Sequence, residues 1–325
     1  MGHRANYVVR RNGNVEIFYS HWGALGLLKD FFWGEEVALA MVRECNETPR
    51  LLDNVWCEGA ALVDYDAKRL LLFGCEVPGE DRGAFLELFP LTWPDWTVEY
   101  ATGGIPQIAA AIGFDPAPLL QMDTHIPAEL DAIIPCDPVK PGPGVLLTIA
   151  SGGGWFDTLA DHEPLEVLGA GPALVRHVAD WPRIDATVRV ARDLARGGAV
   201  IVPALGELHF WLGQEVWDAA GWVAPHWAGW TVRQDATDWR CHFELTGRPV
   251  APLPARWADD VIASLEDVPF DGAAVMRLEV EQMARDGEKN LEVNPAAVRH
   301  ARPALADARK LEVVARVRRH LRRSG

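Results

Sequence analysis

A chain of 325 residues, 49% hydrophobic and 24% charged, has the length for two domains and the composition for large buried cores. Its net charge of −15 speaks against nucleic acid as the main partner, and no run approaches the roughly 20 apolar residues of a membrane span, so neither a polyanion nor a bilayer is expected as partner. Five widely spaced cysteines without a C-x-x-C pair read as buried reduced thiols, not as a disulfide frame or zinc site.

The opening stretch MGHRANYVVRRNG lacks the apolar region of a signal peptide, so the expected location is the cytoplasm. The 26 arginines against 5 lysines, with much Ala, Gly, Val and Pro, read as the codon usage of a GC-rich bacterial genome. Tyr7–Arg10 and Val15–Ser20 flank Asn12-Gly13, a strong short hairpin signal. His21-Trp22 follows, and Glu35–Cys45 has the apolar spacing of a helix. Ala60–Val63 and Leu70–Phe73 are apolar runs of strand length around an Asp-rich turn. Nearly continuous apolar strands imply burial on both faces, which places this second hairpin centrally in its sheet. Trp93-Pro94-Asp95-Trp96 opens a predicted strand that runs to about Tyr100, and a short helix is predicted over Ile105–Gly113.

Residues 114–144 are rich in proline and read as a linker. Beyond them the pattern starts again. Val145–Ala150 and Trp155–Leu159 flank Ser151-Gly152-Gly153-Gly154, and Gly171–Trp181 is helical with Pro172 suited to a first turn. Gly198–Glu215 aligns with Gly59–Glu76 without a gap, at an offset of 139, with five identities in eighteen positions. Gly206 supplies a residue free to take positive φ at its turn. Trp227-Ala228-Gly229-Trp230 then matches Trp93-Pro94-Asp95-Trp96 at an offset of 134. The expected fold is therefore α+β: two tandem repeats of an antiparallel-hairpin and helix unit with pseudo-two-fold symmetry, and a helical C-terminal segment. The expected boundaries are 1–113 for the first repeat, 114–144 for the linker, 145–250 for the second repeat and 251–325 for the extension. In the extension Trp257–Leu265, Ala273–Ala284 and Leu305–Leu321 carry amphipathic spacing. Residues 299–325 have a net charge of +7, leaving −22 for the rest, so the basic tail is expected to dock on an acidic surface of its own chain or of a second copy.

No Walker loop, G-x-S-x-G, H-E-x-x-H or dinucleotide fingerprint is present, so no motif names a cofactor or metal. If the central hairpin turns around Ala67, Glu58 faces Glu76, and two carboxylates about 5 Å apart would repel or recruit a cation. With His21 they form the candidate acid/base set of a hydrolase or metal-assisted enzyme. Tyr7, Tyr19, Trp22, Trp93, Trp96, Trp227 and Trp230 are the candidate ligand-binding aromatics. His226 and His242 have no evident partners, and His209 lies in an apolar strand. The leading expectation is a soluble protein that binds a small molecule or protein partner in an aromatic-lined cleft between duplicated halves.

Overall fold

The computed structural model describes residues 3–74, 79–121, 125–137, 142–185, 195–234, 241–248, 262–263, 265–266, 272–287, 303–304 and 306–324. The chain forms two compact units, residues 1–122 with 254–325, and residues 123–253. Each contains a six-stranded mixed sheet flanked by helices.

In the first unit the strands are β1 (Ala5–Arg11), β2 (Asn14–Ser20), β3 (Asn46–Glu47), β4 (Gly59–Asp64), β5 (Arg69–Gly74) and β6 (Thr97–Tyr100), in the order β3-β2-β1-β4-β5-β6. Both predicted hairpins form, and β1 and β4 join them as parallel neighbours in mid-sheet. Every residue of β4 is buried, as its unbroken apolar run requires of a strand covered on both faces. Between these strands and just after them lie the helices α1 (Leu27–Phe32), α2 (Glu35–Arg43), α3 (Gly79–Leu88) and α4 (Gly104–Ala111). Strand alternation divides them. Tyr7 packs on Phe31 of α1, their rings 5.4 Å apart, while Arg10, on the other face, donates to the Ala111 carbonyl of α4. Arg10 also forms an ion pair with the buried carboxylate of its parallel neighbour Asp64.

The second unit has β7 (Ile134–Pro135), β8 (Gly144–Ser151), β9 (Gly154–Asp161), β10 (Ala195–Val202), β11 (Glu207–Leu212) and β12 (Thr231–Gln234), in the order β12-β11-β10-β8-β9-β7. Among the described residues its helices are α5 (Pro164–Gly169), α6 (Ala173–His177), α7 (Ala219–Val223) and α8 (Cys241–Thr246). One face carries the main core, with Val145, Leu147, Ile149, Ala199, Phe210 and Trp227. The opposite face holds a smaller cluster of Cys136, Leu146, Leu159, Trp211 and Phe243. The segment predicted as a linker contributes β7, which pairs with β9, and Ile133, which joins the main core.

Five strands of each sheet follow one order and one pattern of directions, β2-β1-β4-β5-β6 and β9-β8-β10-β11-β12. The registers revise the sequence alignment. The innermost pair Asp64↔Arg69 corresponds to Val202↔Glu207, an offset of 138 in place of 139. Arg11↔Asn14 corresponds to Ser151↔Gly154, an offset of 140, and Arg69↔Thr97 to Glu207↔Thr231, which keeps the offset of 134 for β6. The gapless alignment of glycines was thus out of step by one residue, enough to exchange the two faces of a strand.

Two helices of the C-terminal extension are described, α9 (Gly272–Arg285) and α10 (Asp307–Ser324); Trp257 lies outside the described residues. On α10 Val313, Val314 and Val317 are buried while Leu311 is exposed, so its apolar stripe is covered in part; Arg318 pairs with Glu266 at 3.4 Å and Arg309 with Glu312 at 2.7 Å. Among the described residues no helix is long and apolar enough to cross a membrane.

Candidate functional site

Part of the polar set expected in the first unit does gather where β2 ends and β1 and β4 begin. The Tyr19 hydroxyl lies 2.9 Å from His21 Nδ1, and the Arg4 side chain also bonds Tyr19. Arg4 can only donate, so Tyr19 accepts from it. Burial pushes the Tyr19 phenol up, with the charge and bond of Arg4 opposing. Trp22 is buried with its ring edge-on to His21, centroids 4.9 Å apart. Glu58 accepts the Arg4 backbone N–H at 2.5 Å, and the Arg4 guanidinium sits 4.6 Å over Trp56, which is 52% exposed. The expected facing of Glu58 and Glu76 requires partners that add to 134; the hairpin pairs Gly59 with Gly74, adding to 133. Glu76 itself lies outside the described residues.

The other candidate aromatics are buried or half-buried. Tyr7, Trp93 and Trp227 are buried. Trp93 Nε1 donates to the Phe31 carbonyl at 2.8 Å, and Trp227 Nε1 to the Leu168 carbonyl at 2.7 Å. Each ring meets the second tryptophan of its motif edge-on, Trp96 at 5.0 Å and Trp230 at 4.8 Å. The recurring Trp-x-x-Trp thus anchors a helix to its own sheet, through a polar handle on a large apolar body.

A buried polar network that the sequence did not suggest lies in the second unit. Trp211 Nε1 donates to His242 Nε2 at 2.8 Å. That fixes the other imidazole nitrogen as the protonated one, so Nδ1–H donates to Thr148 Oγ1, also at 2.8 Å. Thr148 in turn donates to Asp157 Oδ1 at 2.6 Å, and Arg248 grips both carboxylate oxygens at 2.5 and 2.9 Å. His242 is buried, and burial pushes its pKa down to about 3; Arg248 adds to this and Asp157 opposes it. Both imidazole nitrogens are engaged, so the ring is held neutral and has no lone pair left for a substrate. Asp157, Thr148, Val200 and His209 form one row across four strands. The row at the same place in the first unit is Ile17, Val8, Leu62 and Leu71, apolar throughout. The fold therefore does not require the polar network. Only the lone Thr and Asp among apolar strand residues could have signalled it.

A concave surface lies elsewhere, at the turn end of the first sheet. A groove of about 590 Å³ is lined by Arg11, Glu35, Glu36, Leu39, Ala40, Arg43 and Tyr65. Its α2 wall comes from the outward stripe of the predicted helix, and its opposite wall from the tips of the two hairpins. Arg11 stacks 3.9 Å over the Tyr65 ring, Tyr65 meets Trp96 edge-on at 5.2 Å, and Lys68 lies 4.6 Å over Trp96. Glu35 accepts from Trp96 Nε1 at 3.0 Å and bonds Tyr65. Burial, then the charge and bond of Glu35, push the Tyr65 phenol up, against Arg11. Of the candidate ligand aromatics, Trp96 therefore supports this wall. Arg11, Glu35 and Tyr65 carry no signal in the sequence, because they come together only when a turn and a helix meet.

Among the described residues no group of three or more His, Cys, Asp or Glu side chains is placed to hold a metal ion. No protein-family model matches the chain, and neither a curated protein nor a solved structure gives a significant match.

Proposed function

We propose that this is a binding protein built by internal duplication, whose first unit takes a small molecule or peptide in the groove between α2 and the hairpin tips. The groove carries the reading. Its volume falls in the usual range for ligand sites, about 300–1,000 Å³. It offers an aromatic and aliphatic floor from Tyr65, Leu39 and Ala40, with charged groups of both signs around it. Binding is favoured over catalysis because the fully buried His242, with Trp211, Thr148 and Asp157, uses up its own donors and acceptors. Duplication is supported by the shared five-strand order and by the two tryptophan anchors, each bonded to a carbonyl of the equivalent helix. On this reading one copy kept an apolar sheet face and acquired the groove, while the other acquired the polar network.

The test is a fragment screen against the intact chain, read by chemical-shift changes. Hits should move the resonances of Leu39, Ala40, Tyr65 and Arg11. Ala40 is exposed, so Ala40→Arg fills the groove without disturbing the core. Hits that bind elsewhere, or that survive this change, refute the assignment.

A further inference from the structure

We propose that the groove selects a short peptide with both termini free, about three residues long, an inference that rests on the groove being the binding site. The charges around it are not equivalent. Glu35 is engaged by Trp96, Tyr65 and, at 3.9 Å, Lys68, while Arg11 is stacked on Tyr65. Glu36 and Arg43 are exposed, and among the described residues neither makes a hydrogen bond or ion pair. They line the same groove from one helix, seven residues apart. Two helical turns separate them by about 10 Å along the axis, with Leu39 and Ala40 between. A carboxylate at one end and a guanidinium at the other, across an apolar floor, complement a ligand with an ammonium and a carboxylate at that spacing. An extended chain covers about 3.3–3.6 Å per residue, so the termini of a tripeptide lie about 10 Å apart. The ammonium would face Glu36, and the carboxylate would take the two-pronged hydrogen bonds that a guanidinium offers. The middle side chain would lie over Leu39 and Tyr65. A free amino acid is too short to reach both charges, and a longer peptide must place one terminus beyond them.

The experiment titrates Ala-Leu-Ala into the intact protein at low salt and follows the resonances of Leu39, Ala40 and Tyr65. N-acetyl-Ala-Leu-Ala, Ala-Leu-Ala amide, the doubly blocked peptide and free leucine are the comparisons. The free tripeptide should bind saturably, the doubly blocked peptide and leucine at least tenfold more weakly. Glu36→Gln should erase the preference for a free amino terminus and keep that for a free carboxylate; Arg43→Gln should do the reverse. Equal binding of free and doubly blocked peptides overturns the proposal but leaves the groove as a binding site. Fragments that shift the groove resonances where no tripeptide does would have the same consequence. If neither fragments nor peptides shift them, both the proposal and the reading beneath it fall.

Discussion

Gly198→Ala is the sharpest probe of the buried network. A Cβ added at Gly198 would sit 2.5 Å from His242 Nε2, 2.7 Å from Trp211 Nε1 and 2.8 Å from the Leu146 carbonyl oxygen. The first two atoms are the ends of one hydrogen bond, and the third is backbone in the neighbouring strand, so no flexible side chain can simply move aside. Either the bond breaks or the sheet shifts. Overpacking costs about 1–3 kcal/mol. Losing the bond leaves buried polar groups unsatisfied at about 1–3 kcal/mol more, for a total of about 2–6 kcal/mol. For a unit of this size, at roughly 3–5 °C per kcal/mol, that is a fall in melting temperature of about 6–30 °C. Gly154→Ala is the control, because its added Cβ meets nothing within 4 Å and its backbone is not in the left-handed region. The assay is a thermal melt of both variants, with tryptophan fluorescence reporting on Trp211. A Gly198→Ala protein that melts with wild type would refute the reading that Gly198 exists to admit the Trp211–His242 contact.

Three further outcomes follow from the same geometry. His242 stays neutral in the fold down to about pH 3, whereas the unfolded chain protonates it near 6.5. The unfolded state then binds the extra proton, so between pH 6.5 and 3 stability should fall as pH falls, by up to about 1.4 kcal/mol per unit; denaturant melts across that range should show a shallower slope for His242→Gln, and identical slopes would count against the burial. Trp93→Phe and Trp227→Phe should each lose a bond to a buried carbonyl and destabilise by about 1–3 kcal/mol, measured by chemical denaturation; a large cost at only one would mean that the two anchors are not equivalent. Removing residues 306–325 should uncover whatever Val313, Val314 and Val317 cover and lower the melting temperature; an unchanged melt would show that the helix contributes nothing to the fold.

Local chemistry made much of the scaffold legible. Asn12-Gly13 specified a turn, apolar runs of strand length specified β4 and β5, and 3.6-residue spacing specified α2, because each signal acts over a few neighbouring residues. The Trp-x-x-Trp match at an offset of 134 survived unchanged because each tryptophan anchors its own unit in the same way. Register was decided only in three dimensions. Matching Gly59 to Gly198 maximised identities, yet the sheets pair as though Gly59 matched Gly197, since the turns and strand packing set which residues face each other and a one-residue slip costs nothing in a string comparison. The same holds for Glu58 and Glu76, whose expected facing depended on one turn position. The network joining Asp157, Thr148, His242, Trp211 and Arg248 contains bonds that reach across 91 and 94 residues of chain, and the groove brings Arg11 and Tyr65 to the flank of α2. Neither has a local signature, because burial and proximity across distant segments give these side chains their partners.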